Sequence, residues 1–418
     1  MKILADLHVH SKYAMATSPR SDLDSFSEWA KYKGIDLLAT GDFCHPLWFK
    51  ELKEKLKETE SGSGIYSYKN TNYILQNEVS TIYYKNGKCK KIHHIIYAPS
   101  LEIVEQIIDV LKSKGDLKAD GRPIFSISSP ELVEIIMNIS KDNEVASAHC
   151  WTPWFGVFGS KGGFDSLEDC YEDQTKHIHA LETGLSADPP MFWRISALDK
   201  YNLISNSDCH SPEKLGRELN ELELTNLSYN NVLQALRTKN RDNKILKTYE
   251  FYPEEGKYHI DGHRNCGISL NPQESKKYNN ICPVCRKPLT LGVLHRVDDL
   301  ADRQIGNKPN TAVPFQHLVP LREIISKVLN KGVNTKGVEE EYFRFVNYFG
   351  NEFKVLTASK EDLDLAGKSE ISEAIWKAQN ENLTLIPGYD GVFGKIEFRE
   401  DLKKEKIKRP KQDTLQNY

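Results

Sequence analysis

The sequence predicts an α/β protein: a parallel sheet or barrel wrapped by helices, then a compact Cys/His module and a mixed α+β region. Three observations carry this. Residues 1 to about 245 alternate short apolar runs with amphipathic helical stretches. Carboxylates and imidazoles recur in one phase, at or near the C-terminal ends of those runs: Asp6, His8, His10, Asp42, Glu78, His149, Asp208 and His210. In an α/β barrel that is the face on which active sites assemble. From about residue 246 the texture changes, and Cys, His, Gly and Pro punctuate the chain as far as residue 303.

The elements follow in order. Residues 2–7 form an apolar run suited to a buried strand. Residues 22–33 place Leu23, Phe26 and Ala30 at helical spacing, with Ser21 as the expected N-cap. Strand returns at 35–39, and 47–59 is a strongly charged helix. Further strands are expected at 73–79, 92–97, 144–148 and 203–205, with a helix at 101–114. Residues 246–303 form a zinc-binding module. Residues 304–400 form a third region, with a helix at 370–380 and a turn at Pro387-Gly388-Tyr389-Asp390-Gly391. Residues 401–418 are lysine-rich and expected to be disordered.

At 418 residues the chain is too long for one ordinary domain, and 39% hydrophobic content is enough to bury a sizeable core. Net charge is −3, which excludes a histone-like cationic protein yet allows a local basic face. No apolar run approaches the roughly 20 residues of a membrane span. The start, Met1-Lys2-Ile3-Leu4-Ala5-Asp6, turns acidic too early for a signal peptide. The expectation is a soluble cytoplasmic protein with no membrane partner. Of eight cysteines, those at 44, 89, 150, 170 and 209 have no paired spacing and read as reduced thiols. The other three, at 266, 282 and 285, stand at metal-ligand spacing.

Asp6-Leu7-His8-Val9-His10 puts three ligand-type side chains on one face of a strand, because alternate residues point the same way. A second such pattern, Asp208-Cys209-His210, follows the strand at 203–205. Glu78, His93 or His94, and His149 complete a carboxylate/imidazole set that suits zinc, manganese or iron better than calcium. Of His93 and His94 only one can point inward, and His93 is the expected one. Two ions close together lower the pKa of a bridging water and neutralise phosphate charge, so metal-dependent phosphoester hydrolysis is the chemistry indicated. A glycine-rich nucleotide loop of the G-x-x-x-x-G-K-S type is absent. His263 and Cys266 with Cys282-Pro283-Val284-Cys285 form two close pairs joined by a loop, the spacing of a closed structural zinc site. His259 is an alternative ligand there.

The N-terminal half resembles the PHP (polymerase and histidinol phosphatase) superfamily, a distorted β/α barrel that holds up to three metals. The matching residues are His8 and His10, Glu78, and Asp208 with His210. By that resemblance His8, His10, Glu78 and Asp208 hold one ion, and Glu78, His149 and His93 a second. The superfamily's Thr-Asp-His motif appears here as Thr40-Gly41-Asp42-Phe43-Cys44-His45. Asp42 or His45, with His210, would hold a third ion; the plain alternative makes His45 a turn histidine before Pro46.

The whole chain resembles endonuclease Q, through His149-Cys150-Trp151-Thr152-Pro153-Trp154-Phe155, Glu182-Thr183-Gly184-Leu185-Ser186, Asp188-Pro189-Pro190-Met191, Asp261-Gly262-His263-Arg264, Leu294-His295-Arg296-Val297 and the turn at 387–391. That resemblance implies a DNA repair endonuclease with two or three divalent ions (zinc, manganese, magnesium or iron) in the barrel and one structural zinc. It implies cutting 5′ of deaminated bases (hypoxanthine, uracil, xanthine) and abasic sites by a metal-activated hydroxide, leaving 3′-hydroxyl and 5′-phosphate ends. The rival functions are a small-molecule phosphatase and a catalytically degenerate DNA-binding factor.

An enzyme that reads a damaged base flips it out and stacks it on rings. Trp151, Trp154, Phe155 and Phe158 form an aromatic loop directly after His149, with core packing as the bland reading. Lys161, Arg264, Tyr389 and Asp390 are further DNA-contact candidates, and His295-Arg296 is either a phosphate contact or solvated. In the tail, Gln412, Leu415 and Tyr418 resemble the peptide that docks on the DNA sliding clamp.

Overall fold

The computed structural model describes residues 1–238 and 242–398. Its centre is one mixed sheet that curls on itself. Strand β1 (Lys2–Asp6) pairs in parallel with β2 (Leu37–Ala39), and β2 in parallel with β3 (Thr71–Lys85). A second parallel trio is β5 (Glu144–Ser147), β6 (Ile178–Glu182) and β7 (Asn202–Ile204). Joining the trios is β4 (Lys88–Ala98), antiparallel to both β3 and β5. The sheet is therefore mixed rather than all parallel. The reason is Asn86-Gly87, which takes positive φ at both residues and folds β3 back on β4 with Lys85 opposite Lys88.

Past Asp6 the chain meets the segment after β7. Val9 bridges Cys209, the Asp208 N–H donates to the His8 carbonyl at 3.0 Å, and the His10 N–H donates to the Cys209 carbonyl at 3.1 Å. This contact brings the two ends of the run together as a barrel. From the other edge of β1 the sheet continues through β8 (Leu219–Glu223), β9 (Lys244–Glu250) and β10 (Phe315–His317). The expected boundary at 245/246 therefore falls inside β9, and the region after 304 lends a strand to the barrel's sheet.

Helix α1 (Leu23–Lys33) is capped by Asp22, whose carboxylate accepts the Ser25 N–H at 2.9 Å; Ser21 is not the cap. Helix α2 (Pro46–Lys55) stops earlier than its charge pattern implied, because Lys57–Glu58 pairs with Tyr66–Tyr68 as a small hairpin. Leu7, Val9, Leu37, Leu38, Ile74, Ile95 and Val145 are fully buried in the continuous core. Five helices between Leu321 and Gln379, with the hairpin Leu383–Ile386/Lys395–Phe398, complete the C-terminal region. It docks on α1 through a buried Lys33–Glu352 ion pair of 2.6 Å, with the Arg322 guanidinium over the Trp29 and Tyr342 rings. Among the described residues no helix is long and apolar enough to cross a membrane.

Candidate metal centre

Strand alternation sets His8 and His10 side by side at the closure of the barrel. Glu78 is fully buried in mid-β3, and on β4 His93 stands opposite Ser80, two residues along from it. His94 faces away, with Nε2 at 3.0 Å from the Thr81 hydroxyl and Nδ1 at 3.1 Å from that of Tyr171. His149 and Asp208 follow β5 and β7 with φ of 24° and 45°, and Asp42 has φ of 45°. Positive φ at such residues costs on the order of 1–3 kcal/mol each and is concentrated at sites that function maintains. His149 needs room, and Gly184 supplies it: a Cβ there would lie 2.5 Å from the His149 Cβ.

These side chains converge on Glu78. His93 Nδ1 and His149 Nε2 lie 2.7 and 2.9 Å from its Oε1, and 3.2 Å from each other. His10 Nε2 is 3.2 Å from Glu78 Oε2 and 3.2 Å from Asp208 Oδ1, and His8 Nε2 is 3.9 Å from Glu78 Oε1. Three sets have ligand atoms within 4.8 Å of one another: His8, His10 and Glu78; Glu78, His93 and His149; His10, Asp208 and His210. Glu78 and His10 each belong to two. His8 Nε2, His10 Nε2 and Asp208 Oδ1 are buried without a hydrogen-bond partner. Buried polar atoms in that state are costly unless a cation joins them, so the donor set fits divalent metals.

Electrostatics point the same way. Burial pushes the Glu78 carboxyl up, but His93, Arg122, His10 and His149 hold it well below the usual range. Burial likewise raises Asp208, and His10 and His8 more than reverse this. His93 is pulled down to about 4 by burial, against the charge of Glu78. For His8 burial acts downward, and Glu182 overrides it to about 9.

A second layer aims the ligand-type rings. Glu182 accepts from His8 Nδ1 at 3.0 and 3.1 Å, from the His149 N–H at 2.8 Å and from Asn206 Nδ2 at 2.8 Å. Asp42 accepts from His10 Nδ1 at 2.9 Å, and from the Ser11 N–H and hydroxyl at 2.6 and 2.7 Å. Both Asp42 oxygens are thus engaged behind His10, and the residue stands outside the three sets. His45, at the N-cap of α2, stacks on Tyr13 at 4.3 Å and also lies outside them. The His210 ring lies 4.7 Å from that of His10, and its Nδ1 is 3.0 Å from the Asp208 carbonyl oxygen. Sequence reading missed Arg122, whose Nη1 is 3.1 Å from Glu78 Oε2, and it gave Glu182 no role. Nothing local marks Arg122; Glu182 was visible only inside a longer motif.

His263, Cys266, Cys282 and Cys285 bring four ligand atoms within 4.8 Å, with His263 Nδ1 at 3.4 Å from Cys285 Sγ. The hairpin Asp261–His263/Ile268–Leu270 and a tight turn at Cys282, closed by Arg286 N–H on the Cys282 carbonyl, place them. His259 is buried outside this set. His295 is neither solvated nor a phosphate contact: it is buried with Nδ1 at 2.6 Å from Asp261. Arg296 is a strut to the barrel, donating to the carbonyls of Phe158 (3.0 Å) and Phe164 (2.9 Å) and to Asp165 (2.5 Å).

The aromatic loop divides. Trp151 and Phe158 are 1% exposed and pack on each other at 4.9 Å and, for Trp151, on Phe192, so they are core and not stacking platforms. Trp154 is 42% exposed, edge-on to Tyr258. Phe155 lies 4.3 Å from the His93 ring, and its carbonyl accepts the His93 N–H at 2.9 Å. Lys161 and Arg264 are exposed. Asp390 accepts from the Arg264 N–H (2.7 Å) and the Thr290 hydroxyl (2.6 Å), and Tyr389 bridges Ile260, so this turn is stitched to the Cys/His module. Gln412, Leu415 and Tyr418 lie outside the described residues.

A buried carboxylate/imidazole cluster at the mouth of an α/β barrel, coupled to a Cys/His module, defines a metal-dependent hydrolase of the nuclease class. Residues 320–382 match the family model described as the MJ0043 C-terminal domain. The chain is 30% identical over 413 residues to the uncharacterized protein YqxK of Bacillus subtilis, across 94% of this chain and 99% of that one. It is 35% identical over 256 residues to the uncharacterized protein MJ0043 of Methanocaldococcus jannaschii, and spans only 32% of that relative's length. The lesion-specific endonuclease PfuEndoQ of Pyrococcus furiosus superposes with a TM-score of 0.86 at 32% identity, over 97% of this chain and 98% of its own. An endonuclease Q complex with a 27-mer duplex carrying an abasic lesion at the active site gives 0.84 at 32% identity, over 98% and 99%. The chain belongs to the endonuclease Q family.

Proposed function

We propose that the protein is a DNA repair endonuclease that cuts 5′ of hypoxanthine, uracil, xanthine and abasic sites, leaving 3′-hydroxyl and 5′-phosphate ends. The observation that carries this is the metal-type cluster around Glu78, set in a chain that follows a solved lesion–duplex complex over nearly its whole length. In this reading His8, His10, Glu78 and Asp208 hold one ion and Glu78, His93 and His149 another, while His210 joins His10 and Asp208 at the rim. Bound divalent ions, whether zinc, manganese, magnesium or iron, supply Lewis acidity toward a phosphodiester and its attacking water. Glu182 and Asp42 fix the ring orientation of His8 and His10, which sets where their free nitrogens point. Arg122 adds a permanent positive charge beside Glu78, placed to face phosphate oxygens. Phe155, against His93, and the exposed Trp154 one residue before it offer rings on which an extruded base stacks.

The test is incision of a labelled duplex carrying one hypoxanthine, with manganese or magnesium, beside an undamaged control. A single cut 5′ of the lesion is expected. Hydrolysis of small phosphate esters without DNA cutting transfers the site to the phosphatase reading. Lesion binding without turnover transfers it to a binding factor.

A further inference from the structure

Behind the metal-type loop, between the segment after His210 and the C-terminal helices, lies a cavity of about 320 Å³. That volume is at the low end of small-ligand pockets. Ser18, whose N–H bonds the His210 carbonyl at 2.8 Å, and Ser211 form one wall, so the cavity adjoins the centre without sharing its ligands. Five cations line it: Arg20, Lys33, Lys214, Arg217 and Arg322, against the carboxylates of Glu213 and Glu323.

Three of the cations have acidic partners: Arg20 pairs with Glu213, Lys33 with Glu352, and Arg322 with Glu339 at 3.4 Å. Even so, Arg322 is 8% exposed and its Nε has no hydrogen-bond partner. Among the described residues Arg217 donates to two backbone carbonyls, those of Ser207 (2.8 Å) and Asp208 (3.2 Å). Among the described residues no carboxylate comes within 4.0 Å of Lys214 or Arg217. Lys214 is exposed at the cavity's edge, where partial desolvation and then Arg217 pull its ammonium down against the charge of Glu323. Glu323 faces both, yet burial raises its carboxyl. With Glu323 near both cations but in ion-pair contact with neither, and a buried guanidinium N–H beside them with nothing to bond, the group is stabilised by an anion that brings several acceptor oxygens.

We propose that this cavity binds a phosphate group, that of a nucleic-acid strand a short distance from the scissile bond, gripped between the barrel and the C-terminal region. This extends the reading above, since neither Lys214 nor Arg217 belongs to the metal-type sets.

Two measurements on the metal-loaded full-length protein test it, comparing wild type with Lys214→Ala. One is anisotropy of an undamaged duplex across a salt series; the other is the thermal midpoint with and without inorganic phosphate. Phosphate held at the metals affects both proteins alike, so only the difference between them counts. For a strand phosphate, Lys214→Ala weakens duplex binding and lowers the log–log salt slope by about 0.9, the value of one contact. A Lys31→Ala control on the far side of α1 leaves the slope unchanged. If inorganic phosphate stabilises wild type but not the variant and the slopes agree, the cavity takes free phosphate and the nucleic-acid source is overturned. Equal slopes and equal phosphate responses overturn the site altogether. The phosphate comparison needs no DNA cutting, so its failure is separable from failure of the endonuclease reading. Should Lys214→Ala fold poorly, Lys214→Met keeps the length of the side chain and removes the charge.

Discussion

The two metal-type sites of this protein are built in opposite ways. Around Glu78 the side chains come from residues 8 to 210, delivered by five strands or strand ends, and five of the seven are buried. At the Cys/His module all four lie between residues 263 and 285, and three are half-exposed. The barrel site exists only once the whole sheet has closed, so its ligands assume a fold made by other residues. The module's four Cys/His side chains sit on a short hairpin and a tight turn with little core of their own, so a metal held there would supply folding energy. Losing a ligand should therefore cost chemistry in one place and structure in the other.

Glu78→Gln should have the largest effect. It removes the charge shared by two ligand sets, and several kcal/mol of lost stabilisation lowers lesion incision by roughly a thousandfold or more. Circular dichroism and zinc content of the module should stay as in wild type; a variant with near-normal incision would break the assignment. Next is Glu182→Gln, which loosens His8 and the His149 backbone without touching a free ligand atom. Metal affinity or turnover should fall about 10- to 100-fold, read by titrating manganese into the incision assay.

A third effect concerns how the C-terminal region is held to the barrel. His317 lies 3.3 Å from Asp188 and 3.4 Å from Glu381. Burial acts to lower it, and these two carboxylates raise it to about 10. A histidine raised on folding contributes stability that is complete below its unfolded pKa near 6.5 and is lost as pH climbs toward about 10. The unfolding free energy from denaturant titration should fall across that window by no more than about a few kcal/mol, and His317→Gln should flatten the fall. The smallest effect on chemistry belongs to Cys282→Ser. The module's zinc should be lost and its local melting lowered, while incision at saturating DNA stays near wild type. Collapse of turnover with the fold and binding intact would erase the contrast between the two sites.

Much of the barrel centre was legible because its pieces are local. Alternation makes His8 and His10 neighbours, and it separates His93 from His94, without any tertiary knowledge. What misled was everything that depends on which side of the sheet a loop lands. Trp151 and Trp154 are three residues apart in one motif, yet the first is sealed against Phe158 and Phe192 and the second is open. Asp42 matched a ligand motif, but its two oxygens are turned to His10 and Ser11. Arg296 read as either a phosphate contact or a solvated side chain, but it ties the module to residues 158–165.

By itself the sequence determined which residues stand at strand ends, which Cys and His pairs share a turn, and where the helices run, because periods of two and 3.6 and the spacing of a tight turn are properties of neighbouring residues. Only the tertiary structure decided that Glu78 has four histidines within 4 Å, that Arg122 stands beside it and Glu182 behind His8, and that the C-terminal region shares both a strand and a cationic cavity with the barrel. Those depend on barrel closure through Val9 and Cys209, 200 residues apart, where burial and charge are set by whatever the rest of the fold brings alongside.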